Sequence, residues 1–254
     1  MKARVKIAET RTPHGGELVL YQHDRYFFIT INGQELMHSR EHEAELELAR
    51  LGCRHLAGEK SKSILIAGLG MGYTLRQALD MLSSRARVMV SEPADALINW
   101  NREIFGALNG HPLGDARVDL KTDDAFEIVS RSQSDFDAIL LQISTGPGAM
   151  GDSGSHGVFR RKGIQACRRA LREKGCLVVW SMEPSKIYEQ ILTECGFYVR
   201  RFRVPTHKMG KSRARYVWFA SESREILPPG GGEPRQSVKK KIKPGRARPG
   251  KRRK

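Results

Sequence analysis

Three glycines at alternate positions, Gly68, Gly70 and Gly72 in "ILIAGLGMGYTLRQAL", follow an apolar run and precede a helix-like pattern. Glycines so spaced let the backbone pass close beneath a ligand. A dinucleotide site wants its third glycine beside the pyrophosphate, at the position held here by Tyr73. That bulky ring argues against a phosphate on the helix start. Two acids extend the pattern. Glu92 ends "RVMVSEP", 24 residues past Gly68, where a carboxylate can accept hydrogen bonds from two ribose hydroxyls. Asp124, preceded by Asp123 in "TDDAF", ends the next strand-like run, where a carboxylate can take the exocyclic amine of adenine. A glycine turn, an acid and an acid at the ends of three successive strands describe an adenosine site with no phosphate anchor. S-adenosylmethionine or a relative of it suits such a site. The alternative for both acids is that they cap the helices that follow.

The elements that must position these residues alternate with regularity. Before the glycines, "ELVLYQ" and "RYFFITI" read as strands, and Asn32-Gly33 supplies a hairpin turn signal. "SREHEAELELARLGCRHLA" reads as a helix with Ser39 at its N-cap. "SILIAGL", "RVMVSEP", "RVDLKTDD", "FDAILLQIS" and "CLVVWSM" are strands. The helices between them begin at Tyr73, at "ADALINW", at "AFEIV" and at "GVFRRKG", the last with Gly175 as its stop; "SKIYEQILTECG" follows the fifth strand. "FYVRRFRV" and "RYVWFASE" have no helix between them and should pair antiparallel. Strands alternating with helices predict an α/β fold with a parallel sheet covered on both faces, and the closing hairpin predicts a Rossmann-like, class I methyltransferase-type sheet. The expected division is residues 1–50 as a small β-hairpin module with its helix, 51–225 as the nucleoside-binding domain, and 226–254 as a disordered basic tail.

The chain has 254 residues and a net charge of +16, of which the stretch from Arg235 to Lys254 supplies eleven Lys or Arg and no acid. With Pro and Gly throughout and little that is apolar, that stretch cannot bury enough surface to order itself. Pro228–Pro234 is the expected linker. The tail can grip nucleic acid non-specifically through its phosphates, or merely solubilise. No apolar run is long enough to span a bilayer, and the N-terminus has no signal-peptide core. The four scattered cysteines suit thiols of a reducing cytoplasm and provide no metal-ligand spacing. The expectation is a cytoplasmic protein without membrane or metal.

With these residues in view, the sequence resembles the spermidine synthase (polyamine aminopropyltransferase) superfamily. The likeness covers most of residues 10–225 and rests on "NGQELMHSREHEAE", "GLGMGYTLR", "SEPADALINWNREIFG", "TDDAFEIV", "FDAILLQISTGPG" and "RYVWFAS". The resemblance implies that Gly68, Gly70 and Gly72 line the nucleoside, that Glu92 holds the ribose and that Asp123 and Asp124 hold the adenine. It implies an amine acceptor, a place in polyamine biosynthesis and a homodimer. The acceptor side departs from the family. Gln142 stands where the family places its first acid after strand four, and Ser144 and Thr145 cover the neighbouring acid positions. Glu45 matches the glutamate of the family's Tyr-His-Glu stretch, while Glu43 and Ala44 replace the aromatic and the histidine. An amide cannot serve as general base, and an uncharged pocket binds a diammonium poorly. Asp152 and His156, in "GPGAMGDSGSHG", form a candidate acid–base pair in a lid-like loop, and His207 with "KMGKSRAR" adds a basic rim.

Three readings follow. The first is a transferase using decarboxylated S-adenosylmethionine, or S-adenosylmethionine itself, on an amine. The second is a methyltransferase, which tolerates Gln142 because methyl transfer depends more on positioning than on a carboxylate base. The third is a non-catalytic nucleoside-binding protein tethered by its tail.

Overall fold

The computed structural model describes residues 4–12, 15–142, 154–205 and 214–232. It opens with four antiparallel strands in the order β1-β2-β3-β4: β1 (Val5–Arg11), β2 (Glu17–His23), β3 (Tyr26–Ile31) and β4 (Gln34–His38). The sequence signals revealed only β2 and β3 as separate strands. β1 is an outer strand with no buried residue, so its side chains carry no inside–outside alternation to read. Between β3 and β4, Asn32 and Gly33 both take positive φ, 48° and 76°, the pair of left-handed residues that a tight hairpin turn needs.

The helix α1 (Glu43–Cys53) starts later than its expected cap. Ser39 does not cap it: its Oγ accepts the Phe27 N–H at 2.9 Å and so pins the end of β4 to β3. His42 takes the N-cap position without a side-chain bond. From there α1 leaves the small sheet and lies on the large one. Gly52 touches that sheet so closely that a Cβ would fall 2.1 Å from Leu140 Cδ2.

The large sheet has seven strands in the order β10-β11-β9-β8-β5-β6-β7. These are β5 (Ser63–Ala67), β6 (Arg87–Ser91), β7 (Val118–Lys121), β8 (Phe136–Leu141), β9 (Leu171–Ser181), β10 (Tyr198–Pro205) and β11 (Ala214–Ser221). The first five run parallel, while β11 is antiparallel to both β9 and β10. Every residue of β8 is buried, as a central strand covered on both faces requires. On one face α1 and α2 (Tyr73–Met81) pack Leu48, Leu75 and Leu79 against Ile64, Ile66, Leu140 and Val178. On the other, α5 (Ala125–Arg131), α6 (Arg161–Ala170) and α7 (Lys186–Glu194) pack Ile128, Ile164 and Leu192 against Leu65, Ile139 and Val179. The helix after β6 begins as α3 (Asp95–Trp100), widens into a π turn over Asn101–Phe105 and finishes as α4 (Gly106–Asn109). Trp100 and Phe105 meet Leu18, Leu20, Ile29 and Met37 in a third cluster, which joins the small sheet to the large unit.

Gly175 does not end α6. That helix stops at Ala170, where the carbonyls of Arg169 and Ala170 accept the N–H groups of Ser134 and Asp135, and β9 begins at once. The left-handed residue in the irregular start of β9 is Lys174, with φ 58°. Gly196, at φ 95°, does close α7. Beyond β11 the chain returns to β10: Gly232 exchanges both backbone hydrogen bonds with Arg201, and Arg200 Nη1 donates to the Pro228 carbonyl at 2.9 Å. The first half of the expected linker is therefore seated on the sheet edge, and the basic tail lies outside the described residues. Among those residues no helix is long and apolar enough to cross a membrane.

Candidate functional site

The strand order reverses between β5 and β8, so the chain leaves their carboxyl ends in opposite directions and opens a crevice there. The glycine turn fills the mouth of that crevice. Gly68 N donates to the Ser91 carbonyl at 2.8 Å, tying the turn to β6. Gly70 and Gly72 adopt φ of 54° and 82°. A Cβ on Gly70 would lie 2.7 Å from Gln142 Nε2, and one on Gly72 would lie 2.7 Å from Asn101 Oδ1 and 2.8 Å from Asn109 Nδ2. Those two asparagines come from the π turn and α4, and they hold the turn by donating to the carbonyls of Gly70 and Met71, each at 2.7 Å. Their role had no local sequence signal, because the π turn that brings them inward is set by packing. Tyr73 stacks on His42 at 3.9 Å between ring centroids, and its hydroxyl donates to the Ser39 carbonyl. The ring thus spans from the helix start to the small sheet.

Glu92 is 5% exposed and points back under the turn: Oε2 accepts the Leu69 N–H at 2.9 Å and Oε1 the Ala94 N–H at 3.0 Å. Burial raises its pKa, and the two backbone donors oppose the rise. A carboxylate offers about four lone-pair sites, so about two remain for further donors. Asp124 Oδ1 accepts the Phe126 N–H at 2.8 Å and caps α5, which leaves its second carboxylate oxygen outside that bond. Asp123 Oδ1 takes Arg131 Nη2 at 2.9 Å, and its carbonyl accepts the Ser91 hydroxyl. Capping and ligand contact are therefore compatible at Asp124, whereas the Asp123 carboxylate already has a cation.

Across the crevice, Gln142 continues β8 and is 2% exposed. Its backbone N–H donates to the Ala67 carbonyl at 2.8 Å, and its side-chain Oε1 accepts the Thr74 hydroxyl. Its Nε2 has no acceptor among the described residues. Glu45, on the first turn of α1, is 5% exposed and comes to the same place, since Thr74 Oγ1 also lies 3.2 Å from its carbonyl. Burial pushes the Glu45 carboxyl up to about 7, against the opposing charge of Arg215. Burial, with the Glu45 charge adding to it, lifts the Tyr73 hydroxyl to about 12, so it stays neutral beside the carboxyl. Thr74, Met37, Trp180 and Arg215 complete this side and were not legible as site residues; each reads locally as part of a helix or strand. Ser144, Thr145, Asp152, His207 and the His156 side chain lie outside the described residues. All four cysteines are buried free thiols, and burial pushes Cys53 and Cys167 to about 12.

Five parallel strands closed by an antiparallel pair, with a glycine turn at the switch point, define a methyltransferase-type α/β protein. Residues 48–206 match the spermine/spermidine synthase domain, and the chain belongs to that family. It is 26% identical over 160 residues to a polyamine aminopropyltransferase of Saccharolobus solfataricus, covering 63% of this chain and 50% of that one. It is 29% identical over 141 residues to a polyamine aminopropyltransferase of Pseudomonas syringae pv. tomato, covering 56% and 47%. The matched region thus spans about half the length of these curated relatives. The fold is that of the spermidine synthase from Thermotoga maritima, with a TM-score of 0.71 at 19% identity over 88% of this chain and 76% of that one. A spermidine synthase in complex with the transition-state analogue AdoDATO gives 0.72 at 19% identity over 88% and 77%.

Proposed function

We propose that the protein is a transferase that binds an adenosyl sulfonium, S-adenosylmethionine or its decarboxylated form, and passes a group from the sulfur to an amine-type acceptor. The observation that carries this reading is Glu92, buried beneath the glycine turn with lone pairs left over after its two backbone bonds. Two vicinal ribose hydroxyls are the donors that such a carboxylate suits. Gly70 and Gly72 give the turn its two left-handed bends at the mouth of the crevice, where a nucleoside would lie against the backbone, and the second carboxylate oxygen of Asp124 suits an adenine amine. Asp123 would assist through its position beside Asp124 rather than through a free carboxylate. Membership of the synthase family and the names of the curated relatives support the transfer chemistry.

In such a transfer the amine lone pair forms a bond to the carbon beside sulfur. The carbon–sulfur bond breaks, its electron pair stays on a neutral thioether, and the new ammonium gives up a proton. Gln142 cannot accept that proton. Glu45 can, because a buried carboxyl titrating near neutrality is matched to the task. Glu45 is thus proposed to replace, from the N-terminal helix, the acid missing after β8. Gln142 also favours a second reading, methyl transfer, which needs positioning more than a carboxylate at that place.

The test is calorimetric titration with 5′-methylthioadenosine, which carries the nucleoside and thioether alone. Saturable binding that Glu92→Gln weakens by about tenfold, the worth of one good charged hydrogen bond, is expected. Absence of binding by the folded protein would overturn the assignment.

A further inference from the structure

The acceptor side of the crevice shows donors where a site for diamines would show carboxylates. Leu141 pairs with Val179 in parallel register, which sets Gln142 beside Trp180 at the strand ends. Leu140, Val178, Trp180 and Val217 share one face of the sheet, packed against Ala44 and Leu48 of α1. Side chains alternate along a strand, so Gln142, two residues past Leu140, and Arg215, two before Val217, fall on that same face. The Arg215 guanidinium stands 5.9 Å from the centre of the Trp180 ring. Gln142, Trp180 and Arg215 therefore form a strip across the ends of β8, β9 and β11, facing the helix that carries Glu45.

Two donors in this strip are buried and idle. Trp180 and Gln142 are each 2% exposed, and neither Trp180 Nε1 nor Gln142 Nε2 meets an acceptor among the described residues. The indole can only donate. Thr74 has one hydroxyl proton and two acceptors in reach, and the closer, Gln142 Oε1, takes it; that leaves the Gln142 amide N–H groups turned toward Gly70. Arg215 forms no salt bridge among the described residues. A buried donor without an acceptor is costly, and native proteins keep few of them. Two such donors beside a guanidinium that has no salt bridge among the described residues fit a carboxylate, and Glu45 opposite them fits an amine.

We propose, building on the adenosyl-sulfonium reading, that the Gln142–Trp180–Arg215 strip with Glu45 receives an amino-acid end, a group bearing both a carboxylate and an amine, in preference to the simple amine of a diamine. Two sources supply that chemistry: the methionyl end of S-adenosylmethionine, or a separate amino-acid acceptor.

Two pairs of ligands that differ by one carboxylate separate the cases. The full chain is titrated with S-adenosylmethionine and with decarboxylated S-adenosylmethionine, then, saturated with 5′-methylthioadenosine, with ornithine and with putrescine. A preference of about tenfold or more for the carboxylated member of a pair is expected, the scale of a charge-assisted hydrogen bond. Preference in the first pair assigns the strip to the donor's own methionyl end; preference in the second assigns it to the acceptor. Arg215→Met and, independently, Gln142→Leu should bring the preference below about threefold while 5′-methylthioadenosine still binds. Equal binding within both pairs, or preference for decarboxylated S-adenosylmethionine and putrescine, overturns the proposal and leaves the nucleoside site standing. Failure of 5′-methylthioadenosine to bind overturns both.

Discussion

Replacing Glu45 by glutamine should remove a loss of stability that the native chain suffers as pH rises. Burial lifts the folded-state pKa of Glu45 from an ordinary 4.5 to about 7. Between those values the unfolded chain has released the proton and the folded chain still holds it. The folded state therefore binds more protons, and stability falls as pH increases, by about 1.4 kcal/mol per pH unit at the steepest. The contribution is fully present below pH 4.5 and is gone above the folded value of about 7. Across the window it amounts to about 3 kcal/mol. Glutamine cannot titrate, so the native-minus-variant difference should decline by that amount between pH 4.5 and 8, while contributions from other titrating groups cancel. Urea unfolding followed by tryptophan fluorescence measures it, since Trp180 and Trp218 are both buried. Arg215→Met, by removing the charge that opposes the shift, should move the decline to higher pH. A difference that stays flat, or that grows with pH, would refute the reasoning: Glu45 would then be ionised in the folded protein and could not exchange a proton near neutrality.

Gly72→Ala should cost about 1–3 kcal/mol in chemical denaturation, because alanine is strained at φ 82° and its Cβ would press on Asn101 and Asn109. A change below about 0.5 kcal/mol would mean that the turn is less constrained than its geometry indicates. Glu92→Ala should destabilise by about 1–3 kcal/mol even without ligand, since the N–H groups of Leu69 and Ala94 lose their acceptor. Unchanged stability would show that water replaces the carboxylate. Gln142→Asp should create or raise aminopropyl transfer from decarboxylated S-adenosylmethionine to putrescine, read by product chromatography; no gain would show that more than a carboxylate at this position separates the chain from a diamine synthase. Gly52→Ala, which would drive a Cβ to 2.1 Å from Leu140 Cδ2, should destabilise by about 1–3 kcal/mol, and an unaltered unfolding midpoint would show that α1 can lift from the sheet.

The gathering of the candidate nucleoside residues at one edge of the sheet was legible in the chain itself. Gly68, Gly70 and Gly72 followed by acids at 92 and 124 lie on successive strand–helix units, and in a parallel sheet each unit delivers its strand end to the same edge. Local pattern is then enough to say which residues meet. Asn32-Gly33 was equally plain, because two left-handed residues in a row are a local requirement. The end of α6 was not: whether the chain stops at Ala170 or at Gly175 depended on Ser134 and Asp135 arriving from elsewhere to take the last carbonyls. The same is true of much of the proposed acceptor side. Gln142 and Glu45 stood out only against the pattern of the family that the sequence resembles, while Thr74, Trp180 and Arg215, on three further elements, each pass for an ordinary helix or strand residue. The crossing of α1 over the ends of β8, β9 and β11 puts a buried carboxyl opposite donors that have no acceptor among the described residues. That crossing is fixed by Gly52, Leu48 and the sheet they pack on, a matter of shape between distant surfaces that residue spacing does not encode.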